Sequence, residues 1–244
     1  KLKIIGRGGV SVSNVDKDAQ ELCKKRGIKI ITTPEATTYS VAELTIAIAF
    51  ALLRHLPRAD ASMRKGEWER KKFIGSELYG KRWGILGFGR IGKAVAERLT
   101  PFGVNLYTYD PFCNEEICSQ YGALKLNSLD EFLAHCDILS VHCALTDETK
   151  HLLNEKTISK LPKGAYIINV SRGAVIDTKA LLSALKSGKL AGAGLDVYEQ
   201  EPPTDTELLS LDNVVLLPHL GASTQEGQER ATIDLIKKLK NELK

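Results

Sequence analysis

The stretch Trp83-Gly-Ile-Leu-Gly-Phe-Gly-Arg-Ile-Gly92 decides the fold. Its apolar start predicts a strand over 83–86, and the residues from 91 to 102 predict a helix, so the pattern Gly87-x-Gly89-x-x-Gly92 lies between the two. The pattern alone is weak evidence, but between a strand and a helix it is typical of a dinucleotide-binding turn. The first glycine permits the turn, the second lets the backbone approach the pyrophosphate, and the third allows the helix to pack closely on the strand. The N-terminus of the helix then offers free N–H groups to the phosphates.

Asp110 follows the next predicted strand, 105–109. An acid at this place in a dinucleotide-binding unit binds the ribose hydroxyls of the adenosine, and its charge repels a 2′-phosphate. No arginine stands beside Asp110 to attract such a phosphate. The sequence therefore predicts NAD rather than NADP as the cofactor, and the alternative is a plain turn aspartate.

The rest of the chain repeats the alternation of strand and helix. The predicted strands are 3–5, 28–31, 83–86, 105–109, 137–142, 165–170, 195–198 and 214–217, and the predicted helices are 40–56, with Ser40 as N-cap, 91–102, 129–136, 155–160, 179–186 and 223–243. Continuously apolar strands fit a parallel sheet that is buried on both faces. We therefore expect an α/β fold, a doubly wound parallel sheet of the Rossmann type over 32–220. The segments 1–31 and 221–244 would be parts of a second domain.

Charge and hydropathy exclude several classes of protein. The chain has 34 Lys and Arg against 30 Asp and Glu, a net charge of +4, which suits small anionic ligands but falls short of the basic stripe of a nucleic-acid-binding protein. The apolar stretch 41–53 contains Glu43 and is too short to span a bilayer. A signal-peptide pattern is absent from the start of this sequence. We expect neither nucleic acid nor membrane as a partner.

The cysteines predict a reducing compartment. They are odd in number and lack the CxxC spacing of a zinc site, so we expect free thiols, no metal and a cytoplasmic location. The five positions are Cys23, Cys113, Cys118, Cys136 and Cys143.

Three further segments carry a resemblance to a known family. INVSRGAVID (168–177), GLDVYEQEPP (194–203) and LPHLGAST (217–224), together with the glycine turn, resemble the D-isomer-specific 2-hydroxyacid dehydrogenases. The segment WERKKFIGSEL (68–78) is similar to the phosphoglycerate-oxidising members of that family. The resemblance implies oxidation of 3-phospho-D-glycerate to 3-phosphohydroxypyruvate with NAD, the entry step of serine synthesis. It also implies that the second domain is a flavodoxin-like substrate domain.

The resemblance assigns three catalytic residues. Arg172 would bind the substrate, His219 would be the acid/base, and Glu201 would be the partner of the histidine. The chemistry agrees, because oxidation of an alcohol needs a group that takes the hydroxyl proton near neutral pH, which histidine can do. A carboxylate on the other ring nitrogen fixes the tautomer, and a guanidinium presents two donors to a carboxylate.

Further cofactor and substrate residues follow from the same resemblance. Cofactor contacts are implied for Gly87, Gly89, Arg90, Ile91, Gly92, Asp110, Cys143, Val170, Arg172, Asp196, His219 and Ala222, with Asp196 near the nicotinamide. Arg7, Arg70 and Arg172 are implied on the substrate side, with Arg70 reaching the site of a neighbouring subunit. The chain departs from the family at Val10, Ser11 and Ser13, where a glycine-rich loop is usual, and at Ala144, which replaces a proline.

The assembly and the chain ends are also predicted. The apolar face of 41–53 is either buried under the sheet or a dimer contact, and the resemblance favours a homodimer or a higher homo-oligomer. Met63 is the only methionine, so we expect Lys1 to be a trimmed start and the substrate domain to be incomplete. Two alternatives stay open: a glyoxylate or hydroxypyruvate reductase with the same catalytic residues, and a dinucleotide-sensing, corepressor-like binding module of the same fold.

Overall fold

The computed structural model describes residues 2–9, 12 and 15–243. It divides the chain into two compact units, Lys1–Val41 with Gly221–Lys244, and Ala42–Leu220. The division falls after Val41, whereas the sequence placed a domain boundary after residue 31. The loop beyond residue 31 stays with the first unit, because the backbone N–H of Thr33 donates to Gly9 O at 3.0 Å and its Oγ1 accepts from Gly9 N at 2.8 Å.

Nine strands are described. In chain order they are β1 Ile4–Arg7, β2 Lys29–Thr32, β3 Arg82–Leu86, β4 Asn105–Tyr109, β5 Ala123–Lys125, β6 Ile138–Val141, β7 Ala165–Asn169, β8 Leu190–Leu195 and β9 Val214–Leu216. β1 and β2 form a parallel pair in the first unit. The other seven form one parallel sheet in the order β5-β4-β3-β6-β7-β8-β9.

Ten α-helices accompany the strands of the described residues. They are α1 Lys17–Lys25, α2 Thr38–Leu53, α3 Leu56–Arg64, α4 Arg90–Leu99, α5 Glu115–Gln120, α6 Leu129–Ala134, α7 Glu155–Ile158, α8 Thr178–Lys186, α9 Thr206–Leu209 and α10 Gln225–Glu242. Short 3₁₀ turns cover Arg70–Phe73, Thr100–Phe102 and Gly173–Val175. The doubly wound parallel α/β fold predicted from the sequence is confirmed.

The strand order reverses direction between β3 and β6. β3 leads to β4 on one side, and the chain then returns to β6 on the other side of β3. Ligands of such sheets bind outside the carboxyl ends of the strands at this switch point. The segments that follow β3 and β6 therefore mark the expected ligand crevice.

The strand predicted at 195–198 is placed wrongly. β8 is the earlier segment Leu190–Leu195, whose sequence LAGAGL lacks the β-branched residues that signal a strand. Its glycines serve packing instead: a Cβ on Gly194 would lie 2.0 Å from Ile48 Cγ2 of α2. The small residues thus let α2 approach the strand closely.

The predicted N-cap of α2 is also wrong. The helix begins at Thr38, and Ser40 lies inside its first turn with its hydroxyl 2.8 Å from Thr224 Oγ1. The apolar side chains of α2 are largely buried within the chain itself, with Ile48 2% and Leu53 1% exposed. Burial inside the chain therefore accounts for this apolar stretch without a dimer contact.

Among the described residues, no single helix is long and apolar enough to cross a membrane, although α2 and α3 pass that test together as a bent pair, by length and composition only. The described residues contain no group of three or more side chains that could hold a metal ion. The five cysteines are free thiols.

Candidate active site

The glycine turn after β3 has the geometry of a phosphate cradle. Gly87 has φ +92°, and a Cβ there would lie 2.6 Å from Cys143 N after β6, so only glycine fits. Gly92 packs on the turn, because its Cβ would lie 2.4 Å from Gly87 O. A Cβ on Gly89 would meet no described atom within 4 Å, and this residue precedes α4 without giving it a side-chain cap. The open space and the uncapped N–H groups of α4 fit the pyrophosphate of a dinucleotide.

Asp110 lies directly beside this turn. Its Oδ2 accepts a hydrogen bond from Phe88 N at 2.7 Å, and its Oδ1 accepts one from Phe112 N at 2.8 Å. These bonds fix the carboxylate between the ends of β3 and β4. Each carboxylate oxygen has a further lone pair, so the group can still accept hydrogen bonds from ribose hydroxyls.

The other predicted cofactor residues of the second unit lie at the same edge of the sheet. Each stands in the first turn of α4 or shortly after the carboxyl end of a strand: Arg90 and Ile91 in α4, Cys143 after β6, Val170 and Arg172 after β7, Asp196 after β8, and His219 after β9. Burial raises the pKa of the Cys143 thiol to about 11, so this side chain is neutral. The topology therefore brings these residues to one crevice.

His219 and Glu201 form a direct pair. His219 Nδ1 lies 2.8 Å from Glu201 Oε2, and Glu201 Oε1 accepts from Tyr198 N at 3.1 Å. The pair is accessible, with 54% of the histidine side chain exposed. Because Nδ1 is occupied by the carboxylate, Nε2 is the ring nitrogen that can exchange a proton with a substrate.

The turn that carries His219 is held by a buried acid. His219 has φ +57°, a conformation that costs a non-glycine residue about 1–3 kcal/mol and persists only where its surroundings fix it. Asp196, 1% exposed, accepts from Leu220 N at 2.6 Å. Asp196 therefore has a structural role at this turn, and its predicted contact with nicotinamide stays a prediction.

Arg172 lies on a turn built by Asn169. The amide of Asn169 donates to Arg172 O at 3.0 Å and accepts from Ser171 N at 3.0 Å. The guanidinium Nη1 donates to Ser171 O at 2.6 Å. Asn169 was not among the residues predicted from the sequence, although it stands inside the segment that carried the resemblance.

Tyr198 is a second residue of this region that was not predicted from the sequence. Its hydroxyl lies 2.9 Å from Leu217 O and 3.2 Å from Leu195 O, the carbonyl groups at the ends of β9 and β8. The phenol therefore ties together the two strand ends from which Asp196 and His219 extend.

Three predicted site residues, Arg70, Arg7 and Ala222, and the family departure at Ala144 have other places in the chain. Arg70 begins the 3₁₀ turn Arg70–Phe73 and is exposed. Arg7 ends β1, and Ala222 lies near the start of α10, both in the first unit. Ala144 is exposed after β6. The predicted roles of Arg70, Arg7 and Ala222 stay predictions, and the departures at Val10, Ser11 and Ser13 lie outside the described residues.

The buried imidazole of His142, next to Cys143, is expected to lower the free energy of unfolding in acid. The residue is half-buried, but both ring nitrogens are buried and have no hydrogen-bond partner among the described residues. Burial lowers the pKa of His142 to about 3. As the pH falls, the imidazole of the unfolded chain, with a pKa of about 6.5, is protonated before that of the folded chain. The free energy of unfolding is therefore highest with respect to this residue above pH 6.5 and decreases as the pH falls toward 3.

We expect the free energy of unfolding to fall by about 2 kcal/mol through this residue between pH 7 and pH 5. Urea unfolding of the wild type and of His142→Phe at both values measures the effect. The variant should lose less stability than the wild type on acidification, and an equal loss in both would contradict the assignment.

Comparisons with known proteins agree with this geometry. Residues 46–221 match the model of the family described as D-isomer specific 2-hydroxyacid dehydrogenase, NAD binding domain. A D-3-phosphoglycerate dehydrogenase from Methanocaldococcus jannaschii is 43% identical over 100% of this chain and 46% of its own length. A hydroxypyruvate reductase from Thermotoga maritima is 44% identical over 99% of this chain and 78% of its own.

A solved structure supports the cofactor. The D-lactate dehydrogenase of Aquifex aeolicus, in complex with NAD and lactic acid, is 33% identical with a TM-score of 0.87, covering 99% of this chain and 76% of that one. The chain spans less than half the length of the phosphoglycerate dehydrogenases that it matches, at 46% and 42% of two of them.

Proposed function

The chain belongs to the D-isomer-specific 2-hydroxyacid dehydrogenase family, and we propose that the protein containing it oxidises a D-2-hydroxyacid with NAD. The observation that carries the proposal is the 2.8 Å pair of His219 and Glu201 at the edge of the sheet that also holds the glycine turn. A proton-transfer group beside a dinucleotide cradle is what the oxidation of an alcohol by hydride transfer requires.

The residues around the glycine turn would hold the cofactor. The N–H groups at the start of α4 would hold the pyrophosphate beside Gly89, where a Cβ would meet no described atom within 4 Å, and Asp110 would accept from the ribose hydroxyls. NAD, when bound, supplies the acceptor of the hydride. The walls of the crevice are the segments after β6 and β7, where Cys143 and Val170 offer backbone groups.

Arg172, His219 and Glu201 each have a separate role in the proposed reaction. Arg172 binds the carboxylate of the substrate with the paired donors of its guanidinium. His219 takes the hydroxyl proton at Nε2 as the carbon–hydrogen bond breaks. Glu201 accepts from Nδ1, fixes the tautomer and stabilises the imidazolium that forms.

Among D-2-hydroxyacids we propose 3-phospho-D-glycerate, with 3-phosphohydroxypyruvate as the product and serine synthesis as the setting. The support is the sequence identity of 43% and 47% with two phosphoglycerate dehydrogenases, together with the basic segment of Arg70. A reductase of hydroxypyruvate or glyoxylate is the second candidate, because the Thermotoga maritima relative shares 44% identity over 78% of its own length.

Initial rates distinguish these functions. 3-Phospho-D-glycerate, D-glycerate and D-lactate are assayed with NAD, and hydroxypyruvate and glyoxylate with NADH. We expect the highest kcat/KM for 3-phospho-D-glycerate. A preference for hydroxypyruvate would favour the reductase, and NAD binding without turnover of any substrate would favour the dinucleotide-sensing module.

We expect the protein to bind NAD at least about tenfold more tightly than NADP, a difference of about 1.4 kcal/mol or more. The carboxylate of Asp110 is held beside the turn by Phe88 N at 2.7 Å and would repel a 2′-phosphate. Calorimetric titration with both cofactors measures the difference. Asp110→Ala should narrow it, and equal or tighter binding of NADP by the wild type would contradict the role of Asp110.

The homodimer and the cytoplasmic location are part of the same proposal. The charge and the relatives support a small anionic substrate, and the covered face of α2 gives the dimer no support of its own. Sedimentation of the purified protein at several concentrations measures its oligomeric state.

A further inference from the structure

A second histidine–carboxylate pair lies in the unit that holds the catalytic residues. Glu199 Oε2 lies 2.7 Å from His151 Nε2, and Glu199 Oε1 accepts from Thr178 N at 2.8 Å. We call these three residues the Glu199 clamp. Burial opposes a charge on Glu199, but the hydrogen bonds from Thr178 and His151 outweigh it and hold the pKa of this carboxyl below its ordinary value. Glu199 is therefore an anion that accepts from two separate segments of the chain.

The segment around His151 is hydrogen-bonded to the segment that carries Arg172. His151 N donates to Ala174 O at 2.8 Å, and Leu153 N donates to Val175 O at 3.1 Å. Ala174 and Val175 lie in the 3₁₀ turn that follows Arg172, and Thr178 begins the next helix, α8. Both partners of Glu199 are thus bound to the turn of Arg172 through short stretches of backbone.

On the side of Glu199, the clamp belongs to the same loop as Glu201. A Cβ on Gly173 would lie 1.9 Å from the carbonyl carbon of Tyr198 and 2.4 Å from Glu199 N, so the turn of Arg172 packs directly on the peptide group before Glu199. Two residues after Glu199, Glu201 accepts from Tyr198 N and binds His219. The clamp therefore lies between the substrate-binding arginine and the catalytic histidine pair.

We propose that His151 and Glu199 are positioning residues that hold the turn of Arg172 and the Glu201–His219 pair at one fixed separation. The guanidinium of Arg172 and the imidazole of His219 must contact the same substrate molecule. A shift of about 1 Å in such a group can lower the rate about 10²-fold. The inference rests on the proposed function and extends it to two residues that do not touch the substrate.

The test compares variants of the intact protein. Glu199→Ala removes both hydrogen bonds, and His151→Ala removes one. Glu199→Gln can keep both, since its amide oxygen accepts from Thr178 N and its NH₂ group donates to Nε2 in the other tautomer of His151. Glu207→Ala is the matched control, because it removes the ion pair between Glu207 of α9 and Lys186 of α8, whose atoms lie 2.6 Å apart. The two residues of that pair are 21 positions apart in sequence, as are Thr178 and Glu199.

We expect Glu199→Ala to lower kcat about 10- to 100-fold, while the Kd for NAD changes less than about twofold. His151→Ala should show a smaller loss of the same kind, and Glu199→Gln and Glu207→Ala should stay close to the wild type. A residue that only stabilised the fold would change the unfolding temperature but leave kcat of the folded enzyme intact. Wild-type kcat in Glu199→Ala, or an equal loss in Glu199→Gln, would overturn the proposal.

Hydrogen exchange separates failure of the clamp from failure of the proposed function. The amides of Val175 and Ile176 donate to Arg172 O and Gly173 O and report on the turn itself. They should exchange faster in Glu199→Ala than in the wild type, whether or not the protein turns over a 2-hydroxyacid. Unchanged exchange would overturn the clamp. Absence of turnover in the wild type would overturn only the proposed function. If Glu199→Ala does not fold, His151→Ala decides by the same two measurements.

Discussion

His219→Asn should abolish turnover of the 2-hydroxyacid while the affinity for NAD stays within a few-fold of the wild type. His219 handles the hydroxyl proton in the transition state, so its loss appears mainly in kcat. General acid–base groups contribute about 10²–10⁴-fold in rate. Steady-state rates give kcat, and calorimetry gives the Kd for NAD.

The control for this variant is His55→Asn. His55 and His219 share a left-handed backbone, with φ +52° and +57°, and asparagine tolerates that conformation better than most residues. Both substitutions therefore place asparagine on a left-handed backbone. His55, however, lies between α2 and α3, away from the glycine turn in sequence. His55→Asn should keep its activity. A His219→Asn enzyme with comparable kcat would remove the histidine from the mechanism.

Arg172→Leu should reduce kcat/KM by the equivalent of about 2–5 kcal/mol, the range measured when one partner of a hydrogen-bonded charge pair is removed. The substrate carboxylate would lose the paired donors of the Arg172 guanidinium. Arg172→Lys restores the charge without the planar fork, so we expect it to recover only part of the loss.

The measurement for Arg172 is kcat/KM with the D-2-hydroxyacid, with NAD affinity as the check on folding. The turn itself should survive both substitutions, because Asn169 holds it through the carbonyl of Arg172 rather than through the side chain. If Arg172→Leu kept its kcat/KM, the substrate carboxylate would have to bind elsewhere.

The parallel sheet was predictable because its central strands β3, β6 and β7 are largely apolar and largely buried. The four residues of β6, for example, are all buried, and three of them are apolar, with Ser140 as the exception. β8 was misplaced because its glycines and alanines reflect the close approach of α2, a contact that no local pattern reveals. Helices α1, α3, α5 and α9 and strand β5 were not predicted. α5, α9 and β5 have six, four and three residues, too few for a hydrophobic period to show, and α1 and α3 carry several charged residues.

The proposed site residues could be named from motifs in the sequence, but the residues that hold them in place could not. Gly87, His219 and Arg172 stand in short segments whose chemistry can be recognised from residue type and spacing. His151 and Glu199 are 48 residues apart, and only the folded chain brings their side chains together. Likewise, the sequence placed Asp110 at the end of a strand but could not show that Phe88 N holds it.

The most direct test of the central claim follows the hydride. The protein is incubated with NAD and either enantiomer of a 2-hydroxyacid that carries deuterium at C2, and the NADH is analysed by mass spectrometry. We predict deuterated NADH from the D enantiomer and none from the L enantiomer, with 3-phospho-D-glycerate as the first substrate to use. NADH without deuterium, or no NADH from any D-2-hydroxyacid, would contradict the proposed function.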